Sequence, residues 1–110
     1  MRDAFHEQLD SITTQLVDMT RLAGSAMARA TTALLDADLH LAEDVITGDR
    51  TLDHAREHLD GLAIDVLARQ QPVATDLRTV VTALRMSGDL ERMGDLARHV
   101  AKVARLRFPN

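Results

Sequence analysis

Residues 5–37, FHEQLDSITTQLVDMTRLAGSAMARATTALLDA, decide the fold class. Phe5, Leu9, Ile12, Leu16, Met19, Ala23, Ala26, Ala30, Ala33 and Ala37 alternate spacings of four and three. That is a seam with a period of about 3.5 residues, the pattern of helices packed nearly parallel in a bundle. The seam runs from large side chains to alanine, so a neighbouring helix can approach closely near Ala26 to Ala33. A helix over residues 4–36 is about 50 Å long at ~1.5 Å per residue, which fits an elongated bundle better than a layered globule.

A second helix is expected over 38–69. Asp38 is its N-cap, because a short carboxylate can accept from a free backbone N–H. Leu41, Ala42, Val45, Leu52, Ala55, Leu59, Leu62, Ala63 and Val66 form its stripe. The stripe keeps its phase across Gly48, so the helix should continue there, with Gly48 marking a break or a close helix approach as the alternatives. Gln70-Gln71-Pro72-Val73-Ala74 reads as a turn, since Pro72 cannot continue one helix and suits the first turn of the next. Thr75 or an earlier residue is the expected cap. A third helix follows over 73–106. The expected architecture is all-α, an elongated antiparallel three-helix bundle, up-down-up, with residues 1–110 as a single domain.

That third helix poses a problem of phase. Taking Leu84 as the origin, Val73, Leu77, Val80, Val81 and Leu84 fall between about −40° and +60°. Met86, Leu90, Met93, Ala97, Val100 and Ala104 fall near 180°, and supercoiling drifts a seam by only ~20° per heptad. Two explanations stand: a central helix contacting neighbours on both sides, or an exposed patch at Leu77, Val80, Val81 and Leu84 that docks a partner.

Composition narrows the function. The chain has 110 residues, 45% hydrophobic and 27% charged, which is too apolar for disorder. A net charge of −4 argues against non-specific nucleic-acid binding, which needs a basic face. No cysteine is present, so disulfides and thiolate metal sites are excluded. Met1-Arg2-Asp3-Ala4-Phe5 lacks the apolar region of a signal peptide, and no apolar run reaches the ~18–20 residues of a membrane span. A cytoplasmic protein is expected.

The chemistry-bearing residues are acidic. Asp49 and Asp53 are four apart on the second helix, and Glu91 and Asp95 four apart on the third, so each pair shares a face. The third-helix pair is expected to point away from that half-helix's apolar stripe. If the hairpin turns near Pro72, residues whose numbers sum to about 144 lie at equal height on antiparallel rods. Asp53 meets Glu91 and Asp49 meets Asp95 on that count. Four neighbouring carboxylates suit a hard cation with oxygen ligands: Mg²⁺, Mn²⁺, Ca²⁺ or iron. The plainer reading is that Arg50, Arg56 and Arg92 neutralise them as surface ion pairs.

Other constellations are weaker. His54 and His58 have a zinc-compatible spacing but lie away from the acids, and solvent exposure is expected. His99 follows Asp95 by four, where a helix-end histidine interacting with the dipole is the plainer role. Di-iron sites use Glu-x-x-His. Here Glu7, Glu43, Glu57 and Glu91 are followed at the third position by Asp10, Ile46, Asp60 and Gly94. Phosphate loops and nucleophile elbows are absent, so no enzyme is expected. Arg98, Lys102, Arg105 and Arg107 are cations of a kind expected near a helix C-terminus, with an anionic partner or lipid headgroup as the alternative.

Gln70-Gln71-Pro72-Val73-Ala74-Thr75-Asp76-Leu77-Arg78 and Asp89-Leu90-Glu91-Arg92-Met93-Gly94-Asp95-Leu96-Ala97 closely resemble the PhoU family, over roughly residues 5 to 105. The resemblance implies three-helix-bundle repeats, usually two per chain, and Glu/Asp-x-x-x-Asp motifs that hold surface metal clusters. Those motifs map onto Asp49, Asp53, Glu91 and Asp95. It further implies a regulatory adaptor in negative control of phosphate uptake and the phosphate-starvation two-component response. The implied partners are a sensor histidine kinase and the phosphate-transporter ATPase, at the inner face of the membrane. This chain holds one repeat, so a second repeat or a homo-oligomer is expected against Leu77, Val80, Val81 and Leu84. The alternative is a plain helical dimerisation or interaction module without metal.

Overall fold

Apolar residues at a bundle period need neighbours, and here three helices supply them to each other. The computed structural model describes residues 2–109 and contains α1 (Arg2–Asp36), α2 (Leu39–Gln70) and α3 (Ala74–Arg107). Its extents are 58 × 18 × 16 Å, the proportions of an all-α, three-helix up-down-up bundle. Helix α1 buries Ile12, Met19, Ala23, Ala30 and Ala33, all members of the seam. Helix α2 runs unbroken through Gly48 and buries Ala42, Val45, Leu52, Leu59, Ala63 and Val66.

The connections follow their local chemistry. Asp38 caps α2, its Oδ1 accepting from the Leu41 N–H at 3.0 Å. Gln71 ends α2 in the left-handed region at φ 46° and ψ 55°. Val73 then caps α3 without a side-chain hydrogen bond, so neither Thr75 nor another hydroxyl performs that role.

The phase problem in α3 resolves into one seam. Val80, Ala83, Ser87, Leu90, Gly94, Ala97, Ala101 and Ala104 line the interior, at alternating spacings of three and four. From Val80 to Ala101 this line drifts by ~20° per heptad, as a supercoiled seam should. Ser87 and Gly94 carry it through the middle, and neither registers as apolar. Met86, assigned to the inner stripe from sequence, is 41% exposed.

This placement corrects the docking patch. Val80 is fully buried against Ile12, Ala63, Val66 and Ala83, and Leu84 packs on the same cluster. Val81 is half-buried, and Leu77 alone of the four is exposed, at 39%. Most of the apolar side in the first half of α3 therefore belongs to the bundle's own core.

The core changes character along the rod. At the end that holds the α2–α3 turn, Phe5, Leu9, Leu16, Leu67 and Leu84 pack around Ile12, Val66 and Val80. At the opposite end the buried residues are Ala30, Ala33, Ala42, Val45, Ala97, Ala101 and Ala104. Between them lie Met19, Ala23, Leu52 and Leu59. Where α3 crosses Leu52, a Cβ on Gly94 would overlap Leu52 Cδ2. Gly94 is thus the point of close approach that Gly48 was considered for, since a Cβ at Gly48 meets nothing within 4 Å.

Candidate metal centre

The missing side chain at Gly94 brings α3 close to α2, and the acids flanking it follow. Asp49, Asp53 and Asp95 each offer a carboxylate oxygen, and the three oxygens lie within 4.8 Å of one another. The equal-height count thus locates three of the four acids in one cluster. All three are partly buried, and 8% of the Asp49 side chain is exposed against 42% for Asp95. On α3 itself, Glu91 and Asp95 are both partly buried and flank the seam rather than pointing away from it.

Glu91 takes a different partner. Its Oε1 accepts from Arg56 Nη1 across the α2–α3 groove. Arg56 Nε donates to Asp60 Oδ2 at 3.2 Å, and the buried Ser87 hydroxyl donates to Asp60 Oδ1 at 3.0 Å. This hydrogen bond to Glu91, opposed by burial, holds the Arg56 guanidinium above its ordinary range. Glu91 remains close enough to Asp53 to act on its carboxyl, but it is outside the three-oxygen cluster.

The cluster's counter-charge is Arg98. Its Nη1 stands 3.5 Å from Asp49 Oδ2 and its Nη2 stands 3.9 Å from Asp95 Oδ1. Of the arginines named from sequence as neutralisers, Arg56 fills that role, whereas Arg92 lies 4.0 Å from Asp89 instead. In the sequence Arg98 groups with the cations near the C-terminus of the third helix. The signal that could have found it was its i,i+3 spacing from Asp95.

Three acids against one guanidinium leave negative charge uncompensated. Burial, then repulsion from Asp49 and Asp95, push the Asp53 carboxyl above its usual range, although Arg98 and Glu91 pull the other way. Three convergent, half-desolvated carboxylates fit a hard cation, whose oxygen ligands sit at ~2.0–2.6 Å. The histidines stand elsewhere. His54 is exposed, His58 Nδ1 meets Gln15 Oε1 at 2.9 Å on the α1 side, and His99 is exposed.

Bundle and cluster together define a helical protein with an acidic groove between two antiparallel helices. The PhoU domain family model matches residues 16–104, and the chain belongs to the PhoU family. It is 50% identical, over 99% of its length and 51% of theirs, to the phosphate-specific transport system accessory protein PhoU homolog 2 of Mycobacterium bovis and of Mycobacterium tuberculosis. A PhoU homolog from Rhizobium meliloti is 40% identical over 90% of this chain and 42% of its own. The chain spans about half the length of the curated relatives it matches. Among the described residues, no helix is long and apolar enough to cross a membrane.

Proposed function

We propose that this chain is a regulatory adaptor that restrains phosphate uptake and the phosphate-starvation two-component response. The observation that carries this reading is membership of the PhoU family, with half-identical relatives named as phosphate-transport accessory proteins. Its partners on this reading are the sensor histidine kinase and the phosphate-transporter ATPase at the cytoplasmic face of the membrane. Specificity then resides in the bundle's surfaces rather than in a catalytic pocket.

A divalent or ferric ion held by Asp49, Asp53 and Asp95, with Glu91 alongside, is part of the same reading. Such an ion supplies positive charge between helices α2 and α3. The carboxylates would hold it there, and cross-linking the two helices would stiffen the surface they present. Support comes from the convergence of three oxygens within 4.8 Å and from the upward pressure on the Asp53 carboxyl. Association with a second bundle, on another copy or another segment, extends the proposal. Leu77 and the neighbouring exposed Val73 are its apolar contacts on this chain.

The test is genetic. In cells carrying a phosphate-starvation reporter, deleting the gene should switch the reporter on in high phosphate. The wild-type gene should silence it again, and a D49N/D53N/D95N variant should not. A reporter indifferent to the deletion contradicts the regulatory role. Full silencing by the triple variant would favour a metal-free interaction module, a reading supported by the ion pairs that Arg56 and Arg98 already make.

A further inference from the structure

We propose that Arg98 is a displaceable internal occupant of the acidic cluster, a guanidinium standing in for the cation and leaving when one binds. The proposal rests on the cation-binding reading and adds the element that sets affinity and selects for charge. Arg98 faces two of the three convergent acids, Asp49 and Asp95, from its position three residues after Asp95. Its grip on them is loose. Distances of 3.5 and 3.9 Å exceed the ~2.7–2.9 Å of a well-formed charged hydrogen bond. Arg69 Nε, by contrast, reaches Asp65 at 2.7 Å, whereas the contacts of Arg98 approach the loose 4.0 Å of the exposed pairs Arg21–Asp18 and Arg92–Asp89.

Two further features mark the guanidinium as imperfectly held. Its Nε is buried without a hydrogen-bond partner, a cost that leaving the site would relieve. Among the described residues, Asp53 forms no ion pair with it, so one acid of the three stays uncompensated. The side chain also has somewhere to go. It is 36% exposed and borders an open cleft with Ile46, Thr47, Arg50 and Lys102.

Charge and size decide the exchange. A divalent ion brings two charges to ~2.0–2.6 Å from each oxygen, where Arg98 brings one charge to 3.5 Å or more. Na⁺ and K⁺ carry no such advantage over the resident guanidinium. Arg98 therefore lowers affinity for every cation and keeps out monovalent ones, while protecting the cation-free bundle from repulsion among its own acids.

Calorimetric titration of the purified protein with MnCl₂, beside thermal unfolding in EDTA, tests this. Arg98→Gln should bind Mn²⁺ at least tenfold more tightly than wild type, yet melt at a lower temperature in EDTA. Arg98→Lys keeps the charge and should bind within a few-fold of wild type. Adding 100 mM KCl should change the EDTA melting temperature of R98Q more than that of wild type. Wild type and R98Q binding Mn²⁺ with equal affinity would overturn the role of Arg98 and leave the cation site standing. Absence of Mn²⁺ binding in both proteins would overturn the site and this proposal together.

Discussion

One turn apart, α2 and α3 build two polar clusters of opposite temper. Toward the α2–α3 turn, Arg56 links Glu91 to Asp60, and Ser87 completes the set with a hydrogen bond to Asp60. Toward the other end, Asp49, Asp53 and Asp95 converge, and among the described residues Arg98 alone forms ion pairs with them. Both clusters use carboxylates at matched heights on the same two rods. They differ in how donors divide among acids. In the first each carboxylate is bonded to Arg56, and the second, with three acids to one guanidinium, retains the larger excess of negative charge. Height along a bundle brings acids together; the number of acids that one guanidinium must face decides whether a ligand is wanted.

The contrast can be broken most severely at Gly94, which sets the helix separation. Gly94→Leu forces a side chain into Leu52 and should lower stability by about 2–3 kcal/mol in urea denaturation, by overpacking. Gly94→Ala should cost less, because the Leu52 methyl can turn and alanine gains ~1 kcal/mol of helix propensity. Next in size is the Arg56 cluster. Ser87→Ala removes a buried donor to a carboxylate and should cost about 1–2 kcal/mol.

Neutralising one acid in each cluster sharpens the contrast, because the signs should be opposite. In metal-free protein, Glu91→Gln should destabilise by roughly 0.5–1 kcal/mol, since Arg56 loses one of its two carboxylate partners. Asp53→Asn should stabilise by roughly 0.5 kcal/mol, since it relieves repulsion from Asp49 and Asp95. The pH dependence of that gain follows from linkage. The folded-state pKa of Asp53 lies above its ordinary 3.8, so its charged form opposes folding. The penalty is complete above the raised pKa, shrinks as pH falls from there, and vanishes below 3.8. Melting curves of wild type and D53N in EDTA should therefore converge as the solution is acidified from neutral, apart from any change common to both.

Much of this arrangement is legible in the sequence. The 3.5-residue seam of α1 gave the bundle, Asp38 gave the cap, and the equal-height count brought Asp49, Asp53 and Asp95 together. The α3 seam was harder to read because Ser87 and Gly94 occupy inward positions without being hydrophobic. Their neighbours Met86 and Leu84 drew the inferred stripes off the true line, and Val80 was assigned to a docking face it does not share. The destination of Glu91 was illegible for another reason. Asp53 and Arg56 both lie on α2 within reach of it, and one helical turn of side-chain choice separates a cation ligand from an ion pair. The role of Arg98 was masked by its proximity to Lys102, Arg105 and Arg107, whose placement near a helix end has its own explanation.

The most direct test of the account is a crystal structure of this protein grown with MnCl₂, read by anomalous scattering at the manganese edge. One or more peaks should appear within ~2.0–2.6 Å of oxygens from Asp49, Asp53 and Asp95, with Arg98 turned out into the cleft. A map without anomalous signal there at saturating Mn²⁺, with Arg98 still against Asp49, would contradict it.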